Sequence, residues 1–358
     1  MSEMKKHVLN EFNQQVKPVS LWADAWKRLR KNSMALIGLY IVGFYLAVSL
    51  AAPILPLQDP NHQELMHINL PPSLKPAGVL AKAKIETRML QLKETIEKQN
   101  REDLKTELLY QVAEIARLER EFLTHPEHSN VYILGTDYLG RDMLARIIYG
   151  GRISMGIGVV GTITAVFIGI IFGAIAGYAG GNLDNYMMRF VDIMYGLPYM
   201  LVVIILMSMV PSGSDSIFIL FIAIALVSWL TIARVVRGQI ISLKNAEFVE
   251  AARSMGASPG RIIFRHLLPN TLGVIIIFAT LQMPSFIMNE SFLSFLGLGV
   301  SAPAASWGTL VADGVKGMEL YPWRLVFPAL SMTIFLFAMN FLGDGLRDAL
   351  DPQSKNRT

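Results

Sequence analysis

Long runs without charged residues divide the chain. Asp, Glu, Lys and Arg are absent from most of these runs, and one run is broken only by Glu290. The runs cover residues 32–58, 153–183, 193–214, 216–233, 266–312 and 325–343. A helix needs about 20 apolar residues to cross the hydrocarbon core of a bilayer, and each run meets or nearly meets that length. The pattern therefore predicts an all-α membrane protein with six spanning helices.

The first and fifth runs need separate treatment. The first predicted span, 33–57, is too long for the core of a signal peptide, so we expect it to remain as an anchor helix. The fifth run is about twice as long as one span and contains Pro284, Gly297 and Pro303. We expect one span there, at about 272–296, followed by an external loop. A seven-span arrangement is the alternative.

The orientation follows from the short polar segments. Lys and Arg are concentrated on the cytoplasmic side of membrane proteins. The N-terminal segment, 1–32, holds seven of them and the segment between the fourth and fifth spans holds six, whereas the short loop at 211–215 holds none. These counts predict a cytoplasmic N-terminal segment, a cytoplasmic loop at 237–270 and a cytoplasmic tail at 351–358. They place the loop at 58–150 outside.

The external loop contains a predicted helical arm at 80–123. Apolar residues recur there at spacings of three and four, first at Ile85, Met89, Leu92 and Ile96 and again after Asn100. Charged residues fill the other faces. The pattern indicates a helical hairpin or a short coiled-coil arm. The alternative is a solvated helical excursion that binds no partner.

Composition removes several functional classes. Hydrophobic residues make up 53% of the chain and charged residues 17%, with a net charge of +4 and no cysteine. The absence of Cys excludes thiolate catalysis and Cys-based zinc sites, and the scattered charge does not favour nucleic acid as a partner. His62 with His67, and His125 with His128, lack a diagnostic spacing, so no metal site is expected. No zinc-protease or serine-hydrolase motif and no phosphate-binding loop of the Gly-x-x-x-x-Gly-Lys-Ser/Thr kind occurs.

The most informative segment lies in the cytoplasmic loop at 237–270. Its pattern predicts two short helices joined by a turn. The signals are Asn245 as the cap of the first helix, Gly256 at its end, Ser258 as the cap of the second, Pro259 in its first turn and Pro269 at the close. The first helix has a small and apolar face, formed by Phe248, Ala251, Ala252 and Met255. Another protein could dock on that face; the alternative is an ordinary loop on the bilayer surface.

This segment resembles the EAA loop of ABC-importer permease subunits. The matching residues are Glu250, Ala251, Ala252, Gly256 and Pro269, the last in the sequence HLLPN. Four more segments are similar to the C-type inner-membrane permease of the dipeptide and oligopeptide branch: 134–142 (LGTDYLGRD), 290–299 (ESFLSFLGLG), 306–308 (SWG) and 340–352 (NFLGDGLRDALDP). The resemblance covers most of residues 20–58 and 131–352. His266 departs from the general family pattern, which has Ile there, and the segment at 75–128 is longer than expected of the family.

The resemblance implies the fold of an ABC type I importer permease, with residues 151–350 as the permease core and the arm as a helical external insertion. It implies a transport subunit, not an enzyme, for dipeptides or oligopeptides in the bacterial inner membrane. The expected partners are a second homologous permease, two ABC ATPases and an external substrate-binding protein. ATP and Mg²⁺ would bind the ATPases, and no cofactor would bind this chain. The residues expected to couple to an ATPase are Glu250, Ala251, Ala252, Gly256 and Pro269.

Several alternatives remain open at this stage. The cargo could be nickel or a peptide-like compound, the complex could be an exporter, and an ATP-independent secondary transporter is the rival class. Glu290 is the one acid well inside an apolar run. A carboxylate at mid-bilayer costs about 2.5–3.5 kcal/mol, so Glu290 should either face protein or water, on the translocation path or in a structural role, or reach the interface. The repeat Gly169, Gly173 and Gly177 predicts close helix packing, within the chain or between subunits.

Overall fold

The computed structural model describes residues 21–99, 104–121, 126–209 and 216–350. Within these ranges the chain is helical, and β pairing is confined to two isolated bridges, Pro76 with Val131 and Thr136 with Asp142. The predicted all-α class is confirmed. The helices are α1 (Leu21–Leu29), α2 (Ser33–Ala51), α3 (Ala77–Gln99), α4 (Lys105–Glu121), α5 (Met143–Ala179), α6 (Gly181–Gly196), α7 (Tyr199–Ser208), α8 (Ser216–Leu243), α9 (Glu247–Ser254), α10 (Pro259–Ile262), α11 (Leu268–Phe295), α12 (Trp307–Val315) and α13 (Trp323–Leu350).

Helices long and apolar enough to cross a membrane are present. In the described residues four helices qualify, namely α2, α5, the continuous rod from Pro259 to Phe295 and α13, and a fifth if the bent pair α6 and α7 forms one span. The remaining predicted span, 216–233, lies on α8, whose side chains are described only from Ser228 onward. The count of six therefore stays a prediction. So does the orientation, because residues 1–20, 210–215 and 351–358 lie outside the described ranges.

The third predicted span, 193–214, is not one straight helix. The chain breaks after Gly196, and α6 and the helix that follows meet at a bend of 79°. Leu197 takes an extended conformation (φ −80°, ψ 130°). Pro198 explains the break, because its ring disfavours the helical conformation in the preceding residue and it has no N–H to donate. The expectation of a continuous helix at this point is wrong.

Helices α5 and α8 pack so closely that their backbones are almost in contact. A Cβ added to Gly169 would lie 2.6 Å from Cβ of Ile232, and one added to Gly173 would lie 2.4 Å from the carbonyl oxygen of Ala233. Gly177 meets the next turn of α8 in the same way. The repeat of small residues therefore serves packing within the chain, which was one of the two predicted possibilities.

A core of buried side chains joins α5 to α2, α11, α12 and α13. It is built around Trp307 and Phe335, which are buried, with Tyr45 packed edge-on against both at centroid distances of 5.6 Å. The indole N–H of Trp307 donates to the carbonyl of Ile147 at 2.9 Å, and its backbone N–H donates to Ser154 Oγ at 2.9 Å. Aromatic packing and satisfied polar groups thus fix the end of α12 against α5.

The residues between α11 and α13 differ from the expected loop. Instead of irregular chain throughout, Trp307–Val315 forms a helix with a capping box, in which Ser306 and Thr309 satisfy each other's backbone N–H groups. A cis peptide bond joins Ala302 to Pro303 in the connection before it. The sequence signal was present in the spacing of Ser306 and Thr309, but the prolines and glycines nearby outweighed it in the prediction.

The predicted helical arm consists of α3 and α4, which pack against each other. Its base is held by a small core of Leu70, Ala77, Ala81 and Tyr132, and the backbone N–H of Ala77 donates to the carbonyl of Asn130 at 2.8 Å. The two ends of the arm therefore meet at one place. Beyond this base α3 and α4 expose many apolar and charged side chains, among them Leu90, Leu109 and Tyr110.

We predict that Gly173→Val disrupts the contact between α5 and α8. The new Cβ would collide with backbone atoms that cannot rotate away, and overpacking of this kind costs about 1–3 kcal/mol or more. The measurement is the thermal unfolding midpoint of the purified chain in detergent. Gly156→Val, on the same helix, is the matched control because no atom beyond its own stretch of helix lies within 4 Å of where its Cβ would be. Equal midpoints for the two variants would contradict the role of the contact.

Candidate functional site

The segment at 244–270 folds as two helices around a tight turn. Gly256 has φ +79°, in the left-handed region that favours glycine, and the N–H of Ala257 returns to the carbonyl of Ala252 at 3.0 Å. Ser258 caps the next helix by accepting from the N–H of Arg261 at 3.4 Å, and Pro259 occupies its first turn. The predicted turn and second cap are thereby confirmed.

The predicted cap at Asn245 is wrong. Helix α9 begins one residue later than expected, with Ala246 at the capping position, and no side chain caps it. Two carboxylates, Glu247 and Glu250, lie in the first turn instead. Their negative charge near the unpaired N–H groups stabilises a helix start that lacks a side-chain cap.

One face of α9 is built into the protein. Val249 is fully buried and Ala252 is 1% exposed, and both pack in a cluster with residues of α5, α8, α10 and α11, among them Ile240 and Ile262. The sequence placed Ala252 on the outward face, but the structure turns it inward together with Val249, three residues earlier. The short helix α9 is therefore packed against the ends of several long helices.

The opposite face of α9 is open. Phe248 is 40% exposed and Met255 80% exposed, with exposed Ala251 between them. Glu250 lies beside this face and pairs with Arg253 at 2.7 Å. Large apolar side chains left uncovered next to charged residues are typical of a surface that another protein covers. Of the five predicted coupling residues, Glu250, Ala251 and Gly256 lie on or at the edge of this surface.

Pro269 plays a different part. It lies in the first turn of α11, directly after a wide helical turn at Ile263–Leu267. Pro269 cannot donate to the carbonyl of Arg265 and its ring crowds that oxygen, and a locally widened turn relieves both conflicts. Proline thus shapes the junction between the α9–α10 segment and the long helix.

Glu290 is fully buried in α11. Its Oε1 accepts hydrogen bonds from Ser294 Oγ and from Ser306 Oγ, both at 2.6 Å. Oε2 has no hydrogen-bond partner among the described residues and lies 2.8 Å from the position of a Cβ on Gly308. Since Ser306 caps α12, this carboxylate links α11 to α12 from inside the protein. The side chain of Glu290 is therefore enclosed by protein, while its depth in the membrane and any place on the translocation path stay predictions.

The segment at 134–142 is also structural in geometry. Asp137 binds the side chain of Arg141 at 2.7 Å and accepts from the backbone N–H of Leu139 at 2.8 Å. Asp142 caps α5 by accepting from two backbone N–H groups of its first turn. Thr136 accepts from the N–H of Leu70 at 2.7 Å. Acidic and hydroxyl side chains here satisfy backbone donors where the external segment meets α5.

Donors for a metal ion do come together outside the predicted spans. His62, Glu64 and Glu127 each offer a ligand atom within 4.8 Å of the others, although 63 positions separate Glu64 from Glu127 in the sequence. Behind them His67 bonds His128 at 3.0 Å and Tyr132 at 3.1 Å. Burial lowers the pKa of His67 to about 4, so this imidazole is neutral at pH 7. No nearby spacing in the sequence revealed this cluster.

Two family models match the sequence. The family described as "Binding-protein-dependent transport system inner membrane component" matches residues 169–356, more than half of the chain. The family described as "N-terminal TM domain of oligopeptide transport permease C" matches residues 20–72. The first match includes α9, the turn at Gly256 and Glu290.

Individual relatives agree with these matches. The oligopeptide transport system permease protein OppC of Haemophilus influenzae is 49% identical over 230 residues, which are 64% of this chain and 73% of the relative. The dipeptide transport system permease protein DppC of Bacillus subtilis is 38% identical over 336 residues, 94% of this chain and 87% of the relative. Among solved structures, a chain of the MetNI methionine ABC transporter superposes with a TM-score of 0.48 at 17% identity, over 58% of this chain and 98% of that one.

The family model and the Bacillus relative together leave little of the chain unmatched. With the helical architecture and the apolar helices already described, they identify a multi-pass membrane permease. The chain belongs to the family of binding-protein-dependent transport system inner membrane components, as a member of its OppC and DppC group of ABC-importer permeases.

Proposed function

We propose that this chain is one of two homologous permease subunits of an ATP-driven importer of oligopeptides or dipeptides. Two ABC ATPases would bind on the cytoplasmic side and a substrate-binding protein on the outside. Relatives named for oligopeptide and for dipeptide transport both resemble the chain, which supports a peptide cargo. Both termini and α9 would lie in the cytoplasm, as the distribution of Lys and Arg favours.

The two faces of α9 are the observation that carries the proposal. Val249 and Ala252 anchor the helix among the ends of α5, α8 and α11, while Phe248, Ala251 and Met255 remain uncovered. If a partner bound to the uncovered face moved, α9 and the long helices packed against it would move too, because packed protein interiors are stiff and transmit displacement. The sequence has no phosphate-binding loop of its own, so the energy would come from an ATPase bound to this surface.

The mechanism would be alternating access by rigid-body motion. Closure of the ATPases would displace α9 together with the turn at Gly256, and the attached spans would rock to open the path first outward and then inward. This chain would perform no covalent chemistry, and ATP and Mg²⁺ would be bound by the ATPases.

The complex itself is the first test. The tagged chain is purified from its native membrane in mild detergent, and its partners are identified by mass spectrometry. We expect a second permease and ABC ATPases, and peptide uptake in reconstituted vesicles that requires ATP and a binding protein. A chain that purifies alone and drives uptake without ATP would contradict the proposal and favour a secondary transporter.

We predict that Gly256→Val lowers ATP-driven uptake. A β-branched residue at φ +79° costs about 1–2 kcal/mol, so the turn would adopt another conformation and α9 would lose its position. Peptide uptake and ATP hydrolysis are measured together in vesicles, and we expect hydrolysis to continue with little uptake. Gly260→Val is the control, since Gly260 lies in α10 and a Cβ added there would meet no atom within 4 Å beyond its own stretch of helix. Normal uptake by Gly256→Val would refute the role of the turn.

We also predict that Glu250→Lys weakens the binding of the ATPase. The substitution removes the pair with Arg253 and reverses the charge at the edge of the uncovered face. The expected loss is about 1 kcal/mol, or about fivefold in the dissociation constant. ATPase recovered in a pull-down is compared with that of Glu247→Lys, which changes the same helix turn by the same charge. Equal recovery for the two variants would count against a contact at Glu250.

A further inference from the structure

A cavity of about 390 Å³ lies where α6 and α7 meet α8 and α11. Its walls combine apolar side chains with neutral polar ones, and none of the described lining residues is charged. The polar members are Tyr195, Ser228, Thr231, Gln282 and Asn289. These five hydrogen-bonding side chains come from three stretches of the chain and meet at one cavity.

Gln282 points to a ligand. Its Nε2 donates to the backbone carbonyl of Ser228 at 2.7 Å, and this bond fixes the orientation of the amide. The carbonyl atom Oε1 is buried and has no hydrogen-bond partner among the described residues. A buried acceptor that is left unpaired costs free energy, and such groups are usually satisfied by protein, by ordered water or by a bound ligand. Gln282 Oε1 is thus an acceptor available to a hydrogen-bond donor in the cavity.

The polar character continues along the surface toward the end of α8. Tyr195 Oη and Thr231 Oγ1 bond each other at 2.7 Å, and both residues are exposed. One turn farther on, Arg234 pairs with Asp192 at 2.5 Å and stacks on the Tyr195 ring at 4.1 Å. Exposed polar and charged groups are costly against lipid, so this face meets water or protein.

The break between α6 and α7 leads to the same conclusion. The extended backbone at Leu197 and the missing N–H of Pro198 interrupt the helical hydrogen bonds, and both residues line the cavity. Non-helical backbone at membrane depth is tolerated where it is buried in protein or lines a water-filled cavity. The break therefore fits a hydrated space within the spanning region.

We infer that this cavity is a cargo-contact site on the translocation path, where Gln282, Tyr195 and Thr231 hydrogen-bond the main-chain amides of a passing peptide. Oε1 of Gln282 accepts from a peptide N–H, and the hydroxyls donate to or accept from neighbouring peptide groups. Neutral hydrogen-bonding side chains of this kind recognise the main-chain amides that all peptides share and do not distinguish between peptide side chains. The inference rests on the proposed peptide transport and adds the residues that contact the cargo.

The first test uses the absence of cysteine from the chain. Thr231→Cys is introduced, the full complex is reconstituted in vesicles, and the rate of modification by a water-soluble thiosulfonate is measured. Since the thiolate is the reactive form and needs water, we expect modification at least about tenfold faster than that of Phe167→Cys, an exposed position on α5. Adding a transported peptide together with its binding protein should slow the modification of Thr231→Cys. Equal rates would mean that lipid or the second permease covers this face, and a rate unaffected by peptide would also overturn the inference.

The second test measures the hydrogen bond to the cargo. Uptake of an alanine tripeptide is compared with that of its analogue in which ester oxygens replace the N–H groups, at matched loading of the binding protein. Replacing Gln282 with Met removes the acceptor, so Gln282→Met should lower peptide uptake about 2- to 10-fold and ester uptake much less. Gln239→Met, on α8 away from the cavity, should leave both unchanged. No peptide uptake by the unmodified complex would refute the proposed function, whereas normal uptake with equal losses for both cargoes would refute the cavity alone.

Discussion

The backbones of α5 and α8 touch where Gly169, Gly173 and Gly177 face the turns from Ile232 to Ile240. In lipid the hydrophobic effect does not drive helices together, so close packing and polar contacts must do so. Here two polar contacts reinforce the packing: Arg237 of α8 forms a two-pronged ion pair with Asp184 of α6, and Lys244 donates to the carbonyl of Gly177 at 3.2 Å. The position of α8 determines both the cavity at Thr231 and the attachment of α9.

The segments that carry the family resemblance are largely architectural. Asp142 starts α5, Glu290 and Ser306 join α11 to α12, and Trp307 bonds to Ile147 and Ser154 of α5. Asp142 acts locally, on the first turn of its own helix, whereas Glu290 and Trp307 bond to residues of other elements. The matching segments therefore largely record how the helices are held together.

Some of this could be predicted from the sequence, because the cause is local. Runs without charged residues predict helices that lie in lipid. Gly256, followed by Ser258 and Pro259, predicts the end of one helix and the start of the next. Other features depend on the tertiary structure. Nothing near Ala252 in the sequence indicates that it faces inward, and the partners of Glu290 are known only once α12 is placed. The polar residues of the cavity stand out in the sequence because they interrupt apolar runs. Gln282 and Thr231 lie on different helices, however, and only the tertiary structure shows that they line the same cavity.

The rigidity of α8 has a geometric consequence. Thr231, at the cavity, and Leu243, next to the α9 segment, are 12 residues apart on one continuous helix, a separation of about 18 Å. If such a helix tilts by about 10° around one end, the other end moves by about 3 Å, roughly the length of a hydrogen bond. The cavity and the α9 segment are thus joined by one helix, and a small tilt of that helix would change a distance at either end by about the length of a hydrogen bond.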